Sequence, residues 1–122
     1  MRLEDLLRFV QIDPFPRLWA KHGLTDEDLR ALEIGIMAAP ERYPIIPGAG
    51  RLRKIRFMTK KSHRGKSGGY RIFYVHFPEF GTILLMAVLS KSEQADLKKA
   101  DFAALSQVIT RIEESLEKGV IK

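Results

Sequence analysis

Two stretches, Gly69–Phe77 and Thr82–Ser90, are rich in aromatic and β-branched residues and are separated only by Pro78-Glu79-Phe80-Gly81. A turn that short cannot hold a crossover, so the two runs must pair antiparallel as a hairpin. The rest of the chain has to be arranged around it. Arg51 to Met58 also follows a period of two and predicts a third strand.

Elsewhere the period is helical. The first dozen residues admit two readings: Leu3, Leu6, Leu7 and Val10 suit a helix, while Arg8 to Ile12 suits a short strand. Asp13, Pro14 and Pro16 interrupt either pattern, and Phe15, Leu18 and Trp19 then take the spacing of a helix ending near Gly23. Thr25 opens the clearest helix. It is an N-cap with Asp28 three places on, followed by a stripe of Leu29, Leu32, Ile36 and Met37, and Pro40 stops the helix near Ala39. Pro40 to Gly50 reads as an ordered connector with Tyr43, Ile45 and Ile46 worth burying. From Asp101 a final helix carries Phe102, Leu105, Val108, Ile109, Ile112 and Leu116 on one side. The expected fold is therefore α+β: a twisted antiparallel sheet of three to four strands, with helices packed mainly on one face and the other face free.

A chain of 122 residues with 45% hydrophobic content buries one core, so residues 1–122 are expected to form a single domain. Lys and Arg number 21 against 15 Asp and Glu, a net charge of +6 that favours a polyanionic partner, either nucleic acid or an acidic protein. The absence of cysteine excludes disulfides, thiolate zinc sites and a Cys nucleophile. Glu4, Asp5 and Arg8 break the apolar run a signal peptide needs, and the longest uncharged apolar stretch, around Ile83 to Leu89, is only strand length. The expected location is the cytoplasm, with no membrane partner.

The cations gather in one part of the chain. Arg51, Arg53, Lys54 and Arg56 lie on the first of these strands, and Lys60, Lys61, His63, Arg64 and Lys66 in the glycine-containing run Thr59 to Gly68. Arg71 follows on the next strand, and Lys91 at the end of the last. Alternation places Lys54 and Arg56 on one face and Arg51 and Arg53 on the other. Cations from three adjacent strands outline a phosphate-binding surface. The competing explanation is a sheet edge kept basic to block aggregation.

Metal-dependent nuclease chemistry is not legible, because the acidic residues sit mainly in helices with no carboxylate cluster for magnesium. His22, His63 and His76 are scattered. His76 reads as a strand residue satisfied by a neighbour and His22 as a helix-end residue, leaving His63 as the candidate for acid or base work. RNA, however, carries its own nucleophile. If the 2′-hydroxyl attacks the adjacent phosphate, clustered Lys and Arg can align it, neutralise the phosphate oxygens and help the 5′-oxygen leave. Arg forks two phosphate oxygens, and a Lys crowded by other cations gives up its proton more readily. Gly48-Ala49-Gly50 and Gly68-Gly69 precede no helix, so they read as a turn and as room for close backbone approach rather than as phosphate loops.

Lys54-Ile55-Arg56, then Ser67 to Tyr74, then Leu89-Ser90-Lys91-Ser92-Glu93 resemble the successive core strands of the RelE superfamily of toxins, most closely its HigB-like branch. Leu24-Thr25-Asp26-Glu27, Leu52 to Arg56 and Gly65 to Arg71 match further motifs of that branch, and the resemblance spans about Val10 to Leu116. It implies a small RelE-like fold and the toxin of a type II toxin-antitoxin module: an mRNA interferase, that is, a metal-independent endoribonuclease with no cofactor. Such a toxin cleaves mRNA on the ribosome and is held inactive by a helix-turn-helix, HigA-like antitoxin. The family's active cations fall on Lys54, Arg56 and Arg71, and Lys91 joins them as a catalytic candidate. Lys61, His63, Arg64 and Lys66 are the RNA-binding candidates. Ser92 stands where an Arg often follows the closing Lys, and Lys98 stands near the place of a Tyr. The alternatives are a ParE-like, non-catalytic inhibitor of DNA gyrase and a plain RNA-binding module.

Overall fold

A four-stranded sheet is built from β1 (Arg8–Gln11), β2 (Leu52–Phe57), β3 (Tyr70–Phe77) and β4 (Thr82–Ser90), in the spatial order β1-β4-β3-β2. It is accompanied by α1 (Phe15–Lys21), α2 (Asp26–Ala38) and α3 (Lys99–Glu117). The computed structural model describes residues 7–59, 69–90 and 98–119. The β3–β4 hairpin forms around a single 3-10 turn, Pro78–Phe80, closed by Gly81.

The α+β class is as expected, while two finer expectations need correction. The sheet is mixed, not wholly antiparallel, because β1 runs parallel to β4 with Arg8 opposite Thr82 and Gln11 opposite Leu85. This also settles the N-terminal ambiguity in favour of a strand. Nor is one face free. Phe15 and Trp19 of α1 and Leu32 and Ile36 of α2 pack on Ile55, Ile72, Tyr74, Ile83 and Leu85. Ile109 and Leu116 of α3 pack on Leu52, Phe73, Val75, Phe77, Leu84 and Met86 on the opposite face. The physical reason lies in the central strands. β3 from Ile72 and β4 as far as Val88 are buried at every position, and a strand that is apolar on both sides must be covered on both sides.

Local chemistry explains the helix limits. The Thr25 hydroxyl accepts the Asp28 amide while the Asp28 carboxylate accepts the Thr25 amide, the reciprocal cap expected for α2. At α3 the Asp101 carboxylate accepts the Lys98 amide, so the helix begins two residues before the acidic residue that marks it in the sequence. Trp19 stacks on Phe15 at 5.4 Å and donates its indole N–H to the Thr25 carbonyl, tying α1 to the start of α2. Among the described residues, no helix is long and apolar enough to cross a membrane.

The connector between α2 and β2 is ordered by side chains of the sheet. Arg53 donates to the carbonyls of Glu41 and Tyr43, the Tyr74 hydroxyl donates to the Pro40 carbonyl at 2.8 Å, and His76 Nδ1 meets Glu41 at 3.1 Å. Ile45 forms a bridge with Arg53, and the Ile46 amide donates to Leu52. One expectation fails here: Ile46 and Tyr43 are half-buried, but Ile45 is 46% exposed. Its backbone is committed to the edge of β2, which turns its side chain away from the core.

Burial pushes the Tyr74 phenol up to about 12; the Arg53 cation opposes the shift, and Tyr43 and Glu41 add to it. A folded-state value above the unfolded one means that this contribution to stability is complete below about pH 10 and is lost as pH rises toward 12. Tyr74→Phe is expected to cost about 1 kcal/mol at neutral pH, from the lost hydrogen bond to Pro40. It should also flatten the fall in stability that urea unfolding would record for the parent chain as pH rises from about 10 toward 12.

Candidate functional site

The register of β2 and β3 sets Arg56 directly opposite Arg71, and Arg71 in turn opposite Leu89 of β4. One pleat along, Lys54 lies opposite Phe73, which lies opposite Ala87. Alternation therefore places Lys54, Arg56 and Arg71 on the face that carries α3, beyond the apolar row of Leu52 and Val75. Residues two apart on a strand are separated by roughly 7 Å and directly opposed ones by about 5 Å, so the three cations share one small patch. Arg56 is exposed, while Lys54 and Arg71 are half-buried. Two arginines directly opposed on neighbouring strands concentrate positive charge at this end of the sheet.

A β-bulge shapes the patch. Phe73 pairs with Ala87 but Tyr74 pairs with Leu85, so Met86 is the extra residue, and Met86 and Ala87 both join the α3 layer. From that point the phase of β4 is reversed, and Leu89 rather than Val88 faces the cations. At the same end Gly69 allows β3 to start close against β2. Its φ is +87°, and a Cβ there would lie 2.5 Å from the Phe57 carbonyl oxygen. That is the close backbone approach the sequence suggests for this glycine.

The other two cations of the run are structural. Arg53, on the opposite face, is bonded to the connector carbonyls as described. Arg51 departs from the expected alternation. It lies in the turn before β2, where Gly50 has φ +64°, and reaches toward the α3 side, with its guanidinium 4.8 Å from the Phe77 ring centre and in ion pairs with Glu79 and Glu113. Strand alternation does not extend into a turn, so Arg51 and Arg53 do not share a face.

His76 is buried against Glu41 and His22 caps the end of α1 against the Tyr70 ring, as their positions in the sequence suggest. Among the described residues, no three His, Asp or Glu side chains gather in a way that could hold a metal ion. Lys61, His63, Arg64, Lys66 and Lys91 lie outside the described residues. The structure thus brings together Lys54, Arg56 and Arg71. Sequence reasoning missed their apolar surroundings: Leu89, Ala87, and a groove beside Lys54 lined by Phe102 and the Pro44–Pro47 stretch. Phe102 read as one more member of a helical stripe; the signal available was Ile45 held between two prolines.

No family model matches the chain. The strand order, with a parallel first strand at one edge and helices on both faces, defines a RelE-like α+β fold. The likeness is to the E. coli toxin RelE: a double arginine-to-alanine mutant in the free state gives a TM-score of 0.50 at 20% identity, covering 74% of this chain and 87% of that one. The isolated E. coli RelE toxin in a crystal gives 0.49 at 18% identity, covering 84% and 98%. At such identities the likeness is one of fold.

Proposed function

We propose that this chain is the toxin of a type II toxin-antitoxin module of the RelE superfamily, in its HigB-like branch, and that it is an endoribonuclease acting on mRNA at the ribosome. The observation that carries the reading is the placement of Arg56 opposite Arg71 with Lys54 one pleat away. Three cations this close offer a phosphodiester's non-bridging oxygens several charge-assisted hydrogen bonds at once. The RelE-like fold supports it.

In this reading the 2′-hydroxyl of the substrate attacks the adjacent phosphorus. The O2′–P bond forms and the P–O5′ bond breaks, leaving a 2′,3′-cyclic phosphate and a 5′-hydroxyl. Arg56 and Arg71 fork the non-bridging oxygens, whose charge grows in the pentavalent transition state. Lys54 or Lys66 assists transfer of the proton that leaves O2′ and the one that arrives at O5′. Lys91 and Arg64 hold neighbouring phosphates, and Lys61 and His63 add to the RNA-binding surface. A helix-turn-helix, HigA-like antitoxin neutralises the toxin in the cytoplasm.

The test is to express the chain and map RNA 5′ ends. Discrete new ends inside translated messages, suppressed by co-expression of the neighbouring antitoxin frame, are the expected result. Intact RNA accompanied by DNA damage would replace this reading with a ParE-like gyrase inhibitor, and intact RNA with salt-sensitive RNA binding would leave a plain binding module.

A further inference from the structure

The groove beside Lys54 has a volume of about 320 Å³ and is lined by Pro44, Ile45, Ile46, Pro47, Lys54 and Phe102. We infer that it is a subsite for one nucleobase of a single-stranded RNA, seated when the adjoining phosphate is held by Lys54, Arg56 and Arg71. The inference rests on the ribonuclease reading and names where that substrate's base would go.

Three observations point to this occupant. Lys54 lines the groove and belongs to the cationic patch, so the apolar slot and the phosphate site share a wall. A base is one ribose away from its phosphate, so a nucleotide anchored at Lys54 reaches the slot without leaving the patch. The walls suit a flat apolar ring: Phe102 from the first turn of α3 on one side, and the Pro44–Pro47 stretch, with Ile46 on the α3 face, on the other. Finally, the edge of β2 here is already used. Ile45 bridges Arg53, the Ile46 amide donates to Leu52, and Pro44 and Pro47 have no N–H to offer. Prolines on both sides of Ile45-Ile46 would interrupt the ladder of an added peptide strand, whereas a stacked base needs no backbone partner.

The chemistry also sets the selectivity. Apart from Lys54 the lining side chains carry no hydrogen-bonding group, so the slot reads area rather than base edges. It accepts any base and holds purines more tightly than pyrimidines.

The test uses the full chain and short 2′-O-methyl RNA oligomers, which cannot be cleaved, with an abasic nucleotide placed at each position in turn. Fluorescence anisotropy should show one position at which loss of the base weakens binding about tenfold. In Phe102→Ala, checked as folded by its melting curve, that loss should shrink below about twofold, as expected when one wall of the stack is gone. Ile34→Ser, at an exposed isoleucine on α2 outside the groove, should keep the parent profile. A flat profile in the parent chain, or the same profile in Phe102→Ala, overturns the subsite while leaving the ribonuclease reading intact. Antitoxin capture lost in Phe102→Ala, with an unchanged abasic profile, assigns the groove to a protein instead. RNA binding that is absent, or that survives loss of both Arg56 and Arg71, overturns the ribonuclease reading and the subsite together.

Discussion

Arg71→Ala is expected to lower RNA cleavage by about 10²–10³-fold, and growth inhibition with it, while the chain folds as before. The size follows from its position. Arg71 is on the central hairpin, half-buried between Arg56 on one side and Leu89 on the other, and its backbone is fixed on both edges by strand pairing. A strand position fixed in this way sets where the guanidinium can reach, so that it can meet the phosphate oxygens as their charge grows in the transition state. Stability should be unchanged or slightly higher, because removing one member of an opposed like-charge pair relieves repulsion. Arg71→Lys keeps the charge but not the fork, and should recover only part of the loss. The comparison requires 5′-end mapping together with melting curves. Full toxicity in a folded Arg71→Ala chain would remove this residue from the mechanism.

The hairpin, the α2 cap and the strand positions of Lys54, Arg56 and Arg71 were all legible in the sequence, because each depends on contacts within a few residues or on a simple period. Whatever depends on partners distant in the chain was not. β1 is four residues long and is a strand only because the edge of β4 accepts it in parallel. The covering of both faces could have been read from Ile72–Phe77 and Ile83–Val88, where alternation gives way to unbroken apolar sequence. The bulge at Met86 could not, since no glycine or turn residue marks it and it exists only as a mismatch in the pairing of two strands. Leu89 therefore could not be placed beside the cations from sequence, nor could Arg51 be separated from Arg53, because the first needs the bulge and the second the turn at Gly50.

The second large effect is expected at Gly69. Alanine there would place a Cβ 2.5 Å from both the Phe57 carbonyl oxygen and the Met58 sulfur, on a backbone with φ +87°. The thioether can swing away, but the carbonyl belongs to the last residue of β2 and moves only if β2 and β3 part. Strain and displacement together should cost about 3 kcal/mol, roughly a 10 °C fall in melting temperature for a chain of this size. The same parting would widen the gap between Arg56 and Arg71, the next pair along the ladder. Cleavage measured well below the melting point should therefore fall at least about tenfold, more than the unfolded fraction explains. Gly35→Ala gives the opposite sign. Gly35 lies inside α2 with nothing within 4 Å of an added Cβ, so the substitution should stabilise the chain by about 0.5–1 kcal/mol and leave cleavage unchanged. Equal effects of the two substitutions would mean that the β2–β3 approach does not set the spacing of the cations. A loss confined to Gly69→Ala ties that spacing to the one residue that lets the strands come so close.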